Sequence, residues 1–177
     1  MNSNSKRKHI LSAASIIIKT QGVEKLTLEA VAKEAGISKG GLLHHFPNKQ
    51  ALINELVEDL TNNFVTNIND RATSASAVDG KWSRAFIEVT FDDIQEGNGL
   101  STAIRASLFT NPDILTKLQN EYSTWQKKIE DDGIDPVRAT IVRLAADGLW
   151  FSEVFGTGHI NKELREKVAK YLINMTE

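Results

Sequence analysis

Apolar residues recur along this chain at three- and four-residue intervals, and glycines, prolines and capping residues divide the recurrence into helices. Ile10–Ile18 is amphipathic and predicts a helix to about Gln21, stopped by Gly22. Thr27 can cap the next helix through its hydroxyl, with Glu29 in the first turn favoured by the helix dipole. Leu28, Val31, Ala32 and Ala35 form its apolar face, while Glu29, Lys33 and Glu34 lie off it. Gly36 can take the positive φ of a helix C-terminus, Ile37 folds back as a hydrophobic plug, and Ser38 caps a new helix from Lys39 to about Phe46. Leu42 and Phe46, one turn apart, face inward.

Asn48, after Pro47, opens a longer helix with Leu52, Leu56, Leu60, Phe64 and Ile68 in a continuous stripe. Arg71–Gly80 reads as a polar connection. Lys81–Gln95 is a helix burying Trp82, Phe86 and Val89, broken by Gly97–Gly99. A short helix over Ser101–Phe109 follows, then one over Asp113–Asp131 with Leu115, Leu118, Tyr122 and Trp125 on one side. Gly133 stops it. Asp135 caps a helix with Pro136 at its first position, running to about Phe155; Asn161 caps the last, to about Met175. No strand pattern or internal repeat competes, so the fold class is all-α.

Two helices joined by a tight turn at Gly36–Ser38 have the spacing of a helix-turn-helix, a DNA-reading device. Gly40 and Gly41 each cost about 1 kcal/mol relative to alanine inside a helix, so something other than helix stability favours them. A helix in the major groove gains from small residues near its N-terminus, where backbone and bases approach closely. Ser38, Lys39 and the N–H groups of that terminus can meet phosphate, and His44 and His45 point nearer the DNA.

The run GISKGGLLHHFPNKQAL resembles the signature of the tetracycline-repressor (TetR) family of bacterial transcription regulators, and the upstream TLEAVAKEAG stretch fits as well. The resemblance covers about the first third of the chain. It implies an N-terminal three-helix helix-turn-helix domain over 1–50, joined by a long shared helix to a helical ligand-binding and dimerisation domain over 51–177. The implied DNA-binding set is Thr27, Ser38, Lys39, Gly40, Gly41, His44, His45 and Lys49, the last matching a family lysine that contacts phosphate. One departure matters. The family often carries aromatics at the positions of Leu43 and His44, where a tyrosine hydroxyl meets a phosphate; Leu43 cannot make that contact, whereas a His44 ring N–H can replace it.

The resemblance further implies a homodimeric repressor, released from a palindromic operator by a small molecule. The last two helices resemble the family's subunit interface. Val142, Ala145, Ala146 and Leu149, beside Ala139, would allow close approach to Leu164, Val168, Tyr171 and Leu172, the alternative being that these residues pack the monomer core. RLAADGLWFSEVFG is also similar to a stretch in a subset of these regulators. Trp82, Phe86, Phe91, Phe109, Trp125, Trp150 and Phe151 can line a ligand pocket, with Asp147 or Glu153 fixing a polar or cationic ligand; the alternative for each aromatic is plain core.

Charge sharpens this picture. The chain nets −2, but residues 1–50 carry eight of the 21 basic residues and three of the 23 acidic ones, a net of +5 against −7 for the rest. Phosphate affinity therefore sits at one end. Lys6, Arg7 and Lys8 read as either flanking contacts or a solvated tail. Cysteine is absent, which excludes disulfides and cysteine-ligated zinc and suits a cytoplasmic location. Adjacent histidines point about 100° apart on a helix and no third ligand is suitably spaced, so neither a metal nor a cofactor is expected. No apolar run reaches the ~18 residues of a membrane span. A rival reading is a ligand-sequestering helical protein or enzyme with a vestigial DNA-binding head. Paired carboxylates, a nucleophile–base grouping, a phosphate loop and HExxH are all missing, so no enzyme is expected.

Overall fold

The computed structural model describes residues 3–76, 79–95, 111–158 and 160–177. Among the described residues are eight α-helices and no strand: α1 (Ser3–Gln21), α2 (Leu28–Glu34), α3 (Lys39–His45), α4 (Lys49–Ser74), α5 (Lys81–Gln95), α6 (Pro112–Glu130), α7 (Pro136–Phe155) and α8 (Lys162–Asn174). A 3-10 turn at Val23–Lys25 precedes α2. The expected break at Gly97–Gly99, the short helix over 101–109 and Phe109 lie outside the described residues. The chain forms two compact units, one built on Met1–Leu60 and the other on α4 from Thr61 onward, α5, most of α6, α7 and α8. The unit boundary falls inside α4, which is continuous through it.

The first unit is assembled by local signals. Thr27 Oγ1 accepts from the Ala30 N–H at 3.1 Å and Ser38 Oγ from the Gly41 N–H at 3.1 Å, so each short helix starts on its own cap. Between them Gly36, at φ 62, closes α2. Its N–H donates to the Lys33 carbonyl and that of Ile37 to the Ala32 carbonyl, both bonds of a Schellman cap. Leu26, Val31, Leu42, Phe46 and Leu52 are buried inside this unit.

Helix α1 begins at Ser3, a full two turns before Ile10, and absorbs the basic run read as flanking contacts or a tail. Arg7 explains the extension. Its Nη2 donates to Glu55 Oε2 at 2.7 Å and its Nε to Oε1 at 3.3 Å, while Nη1 donates to the His45 carbonyl at 3.3 Å. The guanidinium also lies 4.8 Å over the Phe46 ring. Arg7 is thus a fork that ties α1 to the end of α3 and to α4, and its charge is spent inside the unit.

The second unit is held by contacts distant in sequence. Phe64, Phe86, Tyr122 and Trp125 meet edge to face with centroids 5.2–6.2 Å apart, and Phe86 and Trp125 are fully buried. Ile68, Ala85, Ile129, Ala139 and Ala146 complete that core. Helix α4 runs to Ser74, one turn into the expected connection, because Ala72 is buried and Arg71 pairs with Glu88 and Asp92 of α5. The N-terminus of α5 is capped from far away: the Asp132 carboxylate accepts from the Trp82 and Ser83 N–H groups at 3.0 and 2.7 Å. Asp135, with Pro136, and Asn161 cap α7 and α8 as expected.

Candidate nucleic-acid interface

Helix α3 has one inner and one outer face. Leu42 and Phe46 are almost wholly buried and seat it, while Lys39, Gly40, Gly41, Leu43 and His44 are exposed and His45 is half-buried. The expected DNA-binding residues Ser38, Lys39, Gly40, Gly41 and His44 are therefore all accessible. Thr27 and Lys49, at the starts of α2 and α4, are exposed in the same unit. Thr27 and Ser38 use a lone pair for capping, which leaves each hydroxyl proton able to donate to a phosphate oxygen.

The two glycines differ. A Cβ at Gly41 would stand 3.2 Å from Ser38 Oγ, so the cap itself crowds that position. A Cβ at Gly40 would meet nothing within 4 Å, and Gly40 has no positive φ. The packing of the protein alone supplies no reason for glycine there.

Lys39 is bonded to the Glu29 carboxylate of α2, an exposed pair that holds Glu29 below the ordinary carboxylate range, chiefly through this hydrogen bond. Sequence reasoning missed Glu29: ten residues separate the partners, and no helical spacing joins them. The His44 and His45 rings sit edge on with centroids 5.5 Å apart. His45 is anchored through its carbonyl by Arg7, which leaves His44 as the more exposed imidazole. His9 Nε2 lies 3.0 Å from the Ala35 carbonyl, a further tie across the turn when it carries the proton. Among the described residues no three His, Asp or Glu side chains converge in a way that could hold a metal ion.

The residues named for a pocket fall in different places. Phe86 and Trp125 are core, Phe91 is buried, and Trp82 is half-buried under Lys128 Nζ, 3.8 Å from its ring centroid. Asp147 accepts from Tyr122 Oη at 2.9 Å and from Arg143 Nη1 at 2.5 Å. Burial pushes its carboxyl pKa up, against the lowering effect of both partners, and burial likewise raises the Tyr122 phenol. Trp150 Nε1 donates to Asp93 at 2.8 Å, and Glu153 is engaged by Arg165 at 3.2 Å. Phe151 is exposed, stacked on Phe155 at 5.8 Å and edge on to the half-buried Trp150 at 5.4 Å.

The interface residues are divided as well. Val142, Ala146 and Leu172 are buried within this chain's own unit, where Val142 and Leu172 pack with Ile87 and Phe91 of α5, so they do not form an outer surface. Ala139 is buried too, and Leu149 and Val168 are partly so. Ala145, Leu164 and Tyr171 are exposed. The outer apolar stripe of α7 is instead Val137, Ile141, Leu144, Phe151 and Phe155, with Gly148 between. Its alternating four- and three-residue spacing is visible in the sequence, one register away from the set chosen there.

Among the described residues no helix is long and apolar enough to cross a membrane. Stretches of the chain resemble nucleoid occlusion factors SlmA, at 31% identity over 65 residues to that of Shewanella amazonensis and 34% over 65 to that of Vibrio campbellii. These matches cover 37% and 36% of this chain, and it spans only 33% of the length of each relative. The fold as a whole resembles a TetR-family transcription regulator from Marinobacter aquaeolei, with TM-score 0.64, 14% identity and 97% and 95% of the two chains covered. It also resembles the fatty acid degradation regulator FadR from Bacillus halodurans, with TM-score 0.63, 17% identity and 98% and 97% covered. Residues 10–56 match the family of bacterial regulatory proteins, tetR family, and residues 80–177 match the tetracyclin repressor-like C-terminal domain. An exposed recognition helix on a capped three-helix head, with both family domains in order, is that of a DNA-binding regulator rather than an enzyme: this chain belongs to the tetR family of bacterial regulatory proteins.

Proposed function

We propose that two copies of this chain pair through α7 and α8 and, as a homodimer, repress transcription from a palindromic operator until a small molecule releases them. The outer stripe of α7 carries this reading. Val137, Ile141, Leu144, Phe151 and Phe155 are each at least 40% exposed, an unusual display for a monomer, and they repeat with the heptad spacing of a helix-pairing seam. Gly148 lies in the same stripe with open space around it and would let a facing helix come close. On α8, Leu164 at 47% and Tyr171 at 69% exposure extend the apolar surface. A dimer related by a twofold axis reads two half-sites about 34–36 Å apart, which matches a palindrome.

In this reading residues 1–50 are the DNA-binding head and 51–177 the dimerisation and ligand domain. Thr27, Ser38, Lys39, His44, His45 and Lys49 contact DNA, while Gly40 and Gly41 admit close approach of the groove. Uptake of the effector beside Trp82, Phe86, Trp125 and Trp150 requires this core to open, and Asp147 to exchange Tyr122 or Arg143 for a polar or cationic group of the ligand. An effector that shifts the equilibrium by about 1–3 kcal/mol weakens operator binding about 5- to 150-fold. A DNA partner and the absence of cysteine accord with a cytoplasmic location.

Sedimentation at micromolar concentration tests the pairing. Wild type should sediment as a dimer and Leu144→Asp as a folded monomer that no longer binds a two-half-site operator. A monomeric wild type, or a dimeric Leu144→Asp, would overturn this interface. Transcription from a template with the operator over the promoter separates repression from activation.

A further inference from the structure

We propose that Leu43 is a base-reading residue that recognises the C5-methyl group of a thymine in each operator half-site. The proposal rests on the reading that α3 enters the major groove. Leu43 is 38% exposed and, with Ile16, one of two large apolar side chains on the surface of the first unit among the described residues. It stands in the middle of α3, directly after the buried Leu42, with Gly40 three residues before it on the same outer side. Because a Cβ at Gly40 would meet nothing, the surface beside Leu43 is a shallow, side-chain-free step flanked by Lys39 and His44.

Major-groove edges present donors, acceptors and one kind of apolar group in unmodified DNA, the thymine methyl. A leucine held at that depth can gain specificity only from it. Against a phosphate, Leu43 has nothing to donate. The helix that carries it is fixed before binding: the Ser38 cap holds one end of α3, Leu42 and Phe46 seat its inner face, and Arg7 grips the His45 carbonyl. No backbone ordering is therefore charged against the contact, and Leu43 loses only its own rotamer freedom.

Replacing thymine by deoxyuridine, one position at a time, in an operator selected from random DNA removes only the methyl. Binding of wild type and Leu43→Ala to each duplex is measured by fluorescence anisotropy at one salt concentration. Wild type should lose about fourfold affinity at one thymine per half-site, the amount expected for one buried carbon. Leu43→Ala, which loses the contact in both half-sites of the dimer, should bind the thymine operator about sixteenfold more weakly and be indifferent to deoxyuridine at that same position. Alanine favours helix and the site is exposed, so the variant stays folded, and its unchanged melting verifies this. Indifference of wild type at every thymine overturns the proposal, as does an equal loss in Leu43→Ala, which would assign the methyl to another group. If no sequence is selected at all, the groove reading of α3 itself fails, a result distinct from a bound operator that tolerates deoxyuridine.

Discussion

Two glycines, one in each compact unit, stand in opposite surroundings. Gly80, before α5, has φ 71, and a Cβ there would lie 2.0 Å from the Thr176 carbonyl oxygen, against the buried C-terminal turn. Gly40, in α3, has ordinary helical surroundings and empty space where its side chain would be. Gly80 therefore closes the packing of its own unit, whereas in the proposed reading Gly40 leaves room for the DNA groove. One cap differs as well, although Asp135 and Asn161 of the second unit cap locally. Thr27 and Ser38 serve their own helices three residues on, but α5 depends on Asp132, 50 residues further along the chain. A position with open space beside it, such as Gly40, can vary without disturbing the fold, and positions that close packing or cap a helix, such as Gly80 and Asp132, cannot.

Alanine at each glycine tests the contrast directly. Gly80→Ala should destabilise the protein by about 3 kcal/mol, combining left-handed backbone strain with displacement of the C-terminal turn, as read by urea unfolding. Asp132→Ala should cost about 2 kcal/mol in the same assay, because two N–H groups of α5 lose their acceptor. Gly40→Ala should do the reverse to stability, adding up to about 1 kcal/mol, while weakening operator binding about tenfold. Loss of both stability and binding there would mean that the glycine serves the fold after all.

Smaller effects come from charge. Lys49→Ala should weaken binding to all sequences alike and reduce the slope of log affinity against log salt by about one per contacted half-site. In the second unit, burial raises the Asp147 pKa above its ordinary 3.8, so the folded state holds this proton more tightly than the unfolded chain. Stability from this group is greatest below the ordinary pKa and falls as pH rises through the raised one. Asp147→Asn should remove that falling component, seen as a flatter pH dependence of unfolding above the ordinary carboxylate pKa.

Much of the head was legible because its instructions are short-range. Thr27, Gly36, Ser38 and Asn48 lie within a few residues of the groups they satisfy, and each acts as its type and position suggest. Arg7 was not legible, since its partner Glu55 is 48 residues away and a Lys-Arg-Lys run looks like a solvated patch. Asp132 escaped for the same reason. The outer stripe of α7 failed differently: that helix is apolar on two sides, with Val142 and Ala146 inward and Ile141 and Leu144 outward. Periodicity detects both stripes and cannot say which one the chain's own α5 covers.

Selection of bound sequences from a random DNA pool by the purified protein, at stated salt, bears most directly on the reading of this chain as a dimeric operator-binding regulator. Enrichment of a palindrome whose half-sites are centred about 10 base pairs apart, or a multiple of that turn, is the predicted result. A folded protein that enriches no sequence, or only an unrepeated half-site, would contradict it.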